Sequence, residues 1–171
     1  ATIRNNFNPN EFHKDIESRD NNKTPEVDIY IAGFPCQPFS KAGKQQGFND
    51  TKGRGKVFWN ILDYLKQKLP KIFILENVKG FTTIDKGKCL RKVLTDLHSI
   101  TMQNPNSSDY PEFSKNKRIP AYTVHHQLLN TLDHGIPHNR PRWYCVGIRQ
   151  DVRHGYHPFQ FPAPIPCAPL E

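Results

Sequence analysis

Residues 27–40 read VDIYIAGFPCQPFS, and the interpretation of the whole chain depends on this stretch. The apolar run at 29–32 has the length and branching of a buried strand. Two prolines then flank a Cys-Gln pair, and because proline fixes φ and removes a backbone donor, this loop does not continue as a helix. Ligands bind at the carboxyl ends of strands in open α/β sheets. The stretch therefore predicts that Cys36 is a nucleophile; the simpler alternative is a small buried hydrophobe.

Length and charge limit the classes of protein that this chain can belong to. Its 171 residues are enough for one domain with a hydrophobic core. The formal net charge of +8 favours a polyanionic partner over a neutral one. No apolar run reaches the roughly 18 residues that a membrane span needs, and no secretory signal opens the sequence.

Cysteine and histidine spacing argues against a metal site or a disulfide framework. The four cysteines are far apart and form no C-x-x-C pair: Cys36, Cys89, Cys145 and Cys167. We expect reduced thiols in an intracellular protein, nuclear in a eukaryote and cytoplasmic in a bacterium. Of the eight histidines, the adjacent pair His125 and His126 would point to opposite faces of a strand. Without a helical H-x-x-x-H spacing, no metal site is expected.

A second strand and a connecting helix place a carboxylate beside the thiol. Residues 56–68 have apolar side chains at helical spacing, and Pro70 ends the pattern. The apolar run 72–75 follows and ends in Glu76. A carboxylate at the end of an apolar strand is costly unless the site uses it. A right-handed crossover makes the two strands parallel, so Cys36 and Glu76 are predicted at the same sheet edge.

The loop at 37–55 is rich in glycine and in cations. A loop of this length and charge indicates either a mobile segment that contacts phosphates or a plain flexible surface loop. Its cationic side chains are Lys41, Lys44, Lys52 and Arg54.

The second half of the chain continues the α/β pattern. Residues 89–98 are predicted as a helix, 101–120 as a surface insertion, and 121–129 and 143–148 as strands. Beyond residue 150 the composition shifts to Pro, His and Phe, which indicates a linker. The predicted organisation is a catalytic domain at 1–150 followed by a linker at 151–171.

At two further sites the residues alone allow two interpretations. Arg140 and Arg142 are two apart next to a strand, so both guanidiniums would point into one site if the backbone is extended there. The alternative is a solvated edge. Residues 13–16 are read either as a strand end that presents Asp15 to a ligand or as a solvated acidic loop.

Five segments, in this order, resemble the motifs of the cytosine-5 DNA methyltransferases. They are GFPCQPFS (33–40), KGRGKVFWNIL (52–62), LENVKGF (75–81), LNTLDHGIPHNRPRWY (129–144) and FQFPAP (159–164). The resemblance implies an α/β fold with a doubly wound, Rossmann-like methyltransferase sheet. The sheet is expected to be incomplete here, because the glycine-rich first motif with its cofactor-binding strand and the target-recognition region have no counterpart in this sequence.

The resemblance also implies a role for each candidate residue. Cys36 would add to carbon 6 of a flipped cytosine, Glu76 would hold or protonate ring nitrogen 3, and Arg142 would contact the base carbonyl or a nearby phosphate. Arg140 would share this contact to the base carbonyl or phosphate, and Asn77 would support the site. The residues implied at the nucleic acid are Gln37, Ser40, Lys41, Lys44 and Arg54.

S-adenosyl-L-methionine is the cofactor that the resemblance implies, with Asp15 at the adenine and with Pro35 and Val57 nearby. Two positions depart from the family pattern: Val57 replaces a typical leucine, and His138 stands where glutamine is frequent. DNA is the implied partner, no membrane is involved and a monomer is expected. The alternatives are an RNA-directed relative of the same family and a non-catalytic nucleic-acid-binding remnant. This segment alone is expected to bind the cofactor weakly and to be inactive.

Overall fold

The computed structural model describes residues 6–35, 57–104, 118–152 and 158–165. The two α-helices in this part of the chain are α1 (Val57–Lys68) and α2 (Lys88–His98). The strands are β1 (Ile29–Gly33), β2 (Ile72–Val78), β3 (Thr101–Gln103), β4 (Arg118–Pro120), β5 (Tyr122–Asn130) and β6 (Pro141–Arg149). Neither of these two helices is long and apolar enough to cross a membrane.

Four of the strands form one mixed sheet in the order β1-β2-β6-β5. β1 and β2 are parallel, which confirms the prediction from the helix between them. β6 runs antiparallel to both β2 and β5. Helices alternate with strands in the first half of the chain, and the result is the mixed α/β fold that the sequence predicts. The idea that this sheet is only part of a larger one stays a prediction.

The hydrophobic core joins both helices to one face of the sheet. Both helices were predicted from apolar spacing, and their buried side chains belong to the same cluster as those of the strands. The fully buried members include Phe58, Ile61, Leu65, Phe73, Leu75, Val93, Leu97 and Trp143. Burial of each such side chain contributes about 1.5–3 kcal/mol, so this cluster is the main source of stability.

The prediction of β1 as a fully buried strand is wrong. Ile29 is 55% exposed and Ile31 is 70% exposed, whereas Tyr30 and Ala32 between them pack against the core. The physical reason is that β1 is the edge of the described sheet, and no described layer covers its outer face. An apolar run of four residues cannot distinguish a strand covered on both faces from one covered on a single face.

The segment at 101–120, predicted as a surface insertion, forms a short strand at each end. Its first and last three residues are β3 and β4, which pair antiparallel through Met102 and Ile119. Both of these side chains are buried in the core cluster. The polar stretch that suggested an insertion, 105–117, lies outside the described residues.

The described residues of the C-terminal stretch contact the sheet. Phe159 and Phe161 line an apolar groove of about 440 Å³ together with Ile74 and Val146, on the face away from the helices. The backbone N–H of Ile165 donates to the carbonyl of Asp133 at 2.8 Å. The boundary at residue 150 between catalytic domain and linker stays a prediction.

Gly147 is the glycine on which the packing of the sheet depends most. It is the register partner of Phe73, and a Cβ there would lie 2.0 Å from Cε1 of that ring. We expect Gly147→Ala to lower the free energy of unfolding by about 3 kcal/mol, because a buried ring between two strands has no space to move. Urea titration measures the change. In a Phe73→Leu background the added cost of Gly147→Ala should fall to less than half, and an equal cost there would contradict this explanation.

Candidate active site

The carboxyl ends of β1 and β2 lie side by side at one edge of the sheet. Gly33, the last residue of β1, is in register with Glu76 of β2. Phe34 and Pro35 continue from Gly33 toward Cys36. Cys36 itself lies outside the described residues. The predicted meeting of the two strand ends is therefore confirmed as far as Gly33, and the position of Cys36 stays a prediction.

Glu76 forms an ion pair with Arg142 on the neighbouring strand β6. Arg142 Nε lies 2.8 Å from Glu76 Oε1, and Arg142 Nη1 donates to the carbonyl of Pro141 at 2.9 Å. Arg142 is in register with Val78, so it reaches Glu76 diagonally, as long side chains do across antiparallel strands. The Glu76 side chain is 32% exposed and that of Arg142 is 19% exposed. Solvent, and therefore a ligand, can reach this pair.

Arg140 is placed differently from Arg142. β6 begins at Pro141, so Arg140 precedes the strand, and the rule that residues two apart face the same way does not apply here. Its backbone N–H donates to Oδ1 of Asn130 at 2.8 Å, and its side chain is exposed. Of the two arginines, the geometry joins Arg142 to Glu76.

Asn77 lies on the opposite face of β2 from Glu76. It is 1% exposed, and its Nδ2 donates to the carbonyl of Phe34 at 3.3 Å. Its Oδ1 accepts the backbone N–H of Val78 at 2.8 Å. Asn77 therefore ties the end of β2 to the backbone that follows β1, from a position inside the core.

Aromatic packing holds the residue that leads out of β1. The buried ring of Phe34 lies 5.7 Å from that of Phe58 in α1 and 5.4 Å from that of Phe81. Phe81 in turn lies 4.9 Å from Trp143 of β6. Such offset and edge contacts contribute about 0.5–1.5 kcal/mol each beyond burial. The chain thus leaves β1 from a position that is fixed by the rings of Phe58 and Phe81.

The candidate cofactor residues lie in two places. Pro35 and Val57 are half-buried and adjacent in sequence to the Phe34 and Phe58 rings that contact each other. Asp15 lies in irregular backbone next to bends rather than at a strand end, so of the two interpretations the strand end is wrong. Its carboxylate is exposed, and Oδ1 accepts the backbone N–H of Glu17 at 2.9 Å because the Asp side chain closes the local turn.

The candidate nucleic-acid contacts all belong to one segment of the chain. They lie with Cys36 in the segment 36–56, outside the described residues, and are Gln37, Ser40, Lys41, Lys44 and Arg54. Their roles stay predictions from the sequence.

The surroundings of Cys89, Cys145, His125 and His126 indicate structural rather than catalytic roles. Cys89 and Cys145 are both buried, and burial raises the pKa of Cys145 from its ordinary value of 9.0 to about 12. A thiol with this pKa stays protonated at neutral pH and is a poor nucleophile. His125 contacts Phe159 on one face of β5, and His126 approaches Trp143 on the other, as strand alternation predicts. Within the described ranges no three metal-ligating side chains cluster.

Two features of the site are absent from the sequence predictions. One is the aromatic ring of Phe34 as an anchor, and the other is the contact between Gly33 and Glu76. An ideal Cβ on Gly33 would lie 3.2 Å from Glu76 Oε2. A glycine that ends a strand next to a parallel strand ending in a carboxylate is the signal that would have indicated this contact.

Comparison with known proteins identifies the group to which these motifs belong. Residues 1–167 match the family described as C-5 cytosine-specific DNA methylase. The chain is 44% identical over 151 residues to the Type II methyltransferase M.NgoBI of Neisseria gonorrhoeae, covering 88% of this chain and 39% of that protein. It is 42% identical over 151 residues to the Type II methyltransferase M.HaeII of Haemophilus aegyptius, with the same coverage of 88% and 39%. It thus spans about two fifths of these relatives' length. The chain belongs to the C-5 cytosine-specific DNA methylase family.

Proposed function

We propose that this chain carries the central chemistry of a DNA cytosine-5 methyltransferase. The observation that carries the proposal is the Glu76–Arg142 pair, formed where the carboxyl end of β2 lies beside the amino end of antiparallel β6, next to the backbone that leads into Cys36. Membership of the C-5 cytosine-specific DNA methylase family indicates that this pair acts on a cytosine ring. A stacked base is out of reach of such a site, so the cytosine must be flipped out of the duplex.

Cys36 is the proposed nucleophile. Its thiolate adds to carbon 6 of the cytosine, and the electron pair of the broken double bond makes carbon 5 nucleophilic toward a methyl group. Once carbon 5 has taken the methyl group, a base such as water removes the carbon 5 proton, and the C–H electron pair re-forms the ring double bond and expels the Cys36 thiolate. Neither Cys89 nor Cys145 is suited to this step, because both are buried and Cys145 stays protonated.

Glu76 and Arg142 act on the charge that develops in the ring. As the thiolate adds, negative charge accumulates toward ring nitrogen 3 and the base carbonyl. Glu76 holds or protonates nitrogen 3, and the Arg142 guanidinium stabilises the carbonyl while it orients the Glu76 carboxylate at 2.8 Å. We assign Asn77 a positioning role, since its buried amide holds the Phe34 carbonyl.

S-adenosyl-L-methionine fits the chemistry of the candidate residues. The exposed Asp15 carboxylate can accept a hydrogen bond from the adenine amine, and half-buried Pro35 and Val57 offer apolar surface. When bound, the cofactor supplies an electrophilic methyl group. We propose that the other parts of the cofactor site and the target-recognition region come from sequence outside these 171 residues, because the relatives are more than twice as long.

DNA is the proposed substrate, and the cationic loop at 37–55 is the proposed contact to its phosphates. The relatives named above are bacterial, which favours the cytoplasm among the sequence-based alternatives for location.

The test is transfer of a labelled methyl group. The full-length polypeptide containing this chain is incubated with S-adenosylmethionine carrying a labelled methyl group and with a mixed-sequence DNA duplex, and in parallel with RNA of the same sequence. The expected result is 5-methylcytosine in the DNA alone. Methylation of the RNA alone would support the RNA-directed alternative. Binding of DNA without label in either nucleic acid would support a non-catalytic remnant.

A further inference from the structure

We propose that Gly33 is a positioning residue for the Glu76 carboxylate. The space left by its missing side chain is then part of the active site. The proposal deepens the proposed function, and its consequence for the reaction rate rests on that function.

The geometry around Gly33 indicates that a side chain added there would affect Glu76. An ideal Cβ at Gly33 would lie 3.2 Å from Glu76 Oε2 and 4.0 Å from the Glu76 carbonyl oxygen. Apart from its chain neighbours, no other described heavy atom lies within 4 Å of that Cβ. A distance of 3.2 Å is tighter than ordinary van der Waals contact, so the carboxylate must give way by a few tenths of an ångström.

Backbone conformation does not explain why residue 33 is a glycine. In the described residues, the glycines with positive φ are Gly87 and Gly135, so the backbone at Gly33 accepts an alanine without strain. Packing against other residues that the structure describes does not explain it either, in contrast to Gly147, where a Cβ would meet the ring of Phe73 at 2.0 Å. The remaining explanation is the space that Oε2 needs.

The two oxygens of Glu76 thus face the two strands that flank β2, and only Oε1 is bound by a partner in the described residues. Arg142 Nε binds Oε1 at 2.8 Å, and the open face of Gly33 receives Oε2. A methyl group at Gly33 pushes Oε2 away and turns the carboxylate, which changes its contact with Arg142. Reactive groups tolerate only small misplacement, and about 1 Å can cost a hundredfold in rate. A shift of tenths of an ångström should therefore cost about tenfold.

The first test is spectroscopic and does not depend on activity. The signal of the Arg142 Nε–H in a ¹H–¹⁵N spectrum of the full chain reports on its ion pair with Glu76. We expect Gly33→Ala to move this signal, and Glu76→Ala to move it further. Adding Gly33→Ala to Glu76→Ala should change nothing more. Ile31→Val, which alters one carbon on the same face of β1, should leave the signal in place.

The second test is kinetic and uses the full-length polypeptide. Gly33→Ala should lower kcat about tenfold and leave the KM for DNA within about twofold. In a Glu76→Ala background it should have no further effect. The proposal is overturned if the Arg142 signal stays unmoved in Gly33→Ala, or if the effect persists without the Glu76 carboxylate. If the unmodified protein methylates nothing, the proposed function fails, and the spectroscopic test still decides the role of Gly33.

Discussion

Cys36→Ser is expected to abolish covalent capture of DNA that contains 5-fluorocytosine. In the unmodified full-length protein, the thiolate adds to carbon 6 and carbon 5 takes the methyl group, but the fluorine at carbon 5 cannot leave as the proton does. The enzyme therefore stays attached to the DNA. A serine hydroxyl is far weaker as a nucleophile, so no adduct should accumulate. The measurement is a denaturing gel in the presence of S-adenosylmethionine, with mass spectrometry of the linked peptide.

The matched control is Cys167→Ser, which changes another cysteine that lies outside the described residues. It should leave the yield of adduct within about twofold of the unmodified protein. The buried pair Cys89 and Cys145 needs no such control, because a linked peptide identifies the attached residue directly. Capture that survives in Cys36→Ser would mean that another residue attacks the base.

Glu76→Gln is expected to slow methyl transfer by about 100-fold or more, which is the range typical of a lost general acid–base group. The amide keeps the shape of the side chain but cannot donate or accept a proton at ring nitrogen 3. It also removes the charge that faces Arg142 at 2.8 Å. Single-turnover methylation measures the chemical step. Because the pair is partly exposed, stability should change by no more than about 1 kcal/mol.

The matched control for Glu76→Gln is Asp28→Asn. Asp28 pairs with Lys71 at 2.8 Å, at the opposite end of the same two strands, and both side chains are largely exposed. It should change the single-turnover rate by less than about twofold, because this ion pair is remote from the strand ends that form the site. Equal losses in the two variants would mean that any broken ion pair on this sheet harms the enzyme. Glu76 would then have no special role.

Local signals in the sequence predicted both helices and the strand ends of the site. Apolar side chains at helical spacing marked α1, and a short apolar run marked β2 as far as Glu76. Because a helix between two strands makes them parallel, the sequence also predicted that the strand before Cys36 and the strand that carries Glu76 end at the same edge. These features depend on residues close together along the chain, so the pattern contains the necessary information.

The sequence by itself therefore determined which chemical groups this protein has and which strand ends they follow. Only the tertiary structure decided how these groups meet. The antiparallel placement of β6 next to β2 brings Arg142 to Glu76, and strand alternation buries Asn77 on the other face. It also decided that β1 is exposed on one side, and that Gly33 faces a carboxylate while Gly147 faces a ring. Strand order and the contacts between facing side chains depend on residues that are distant along the chain. Local periodicity therefore does not predict them.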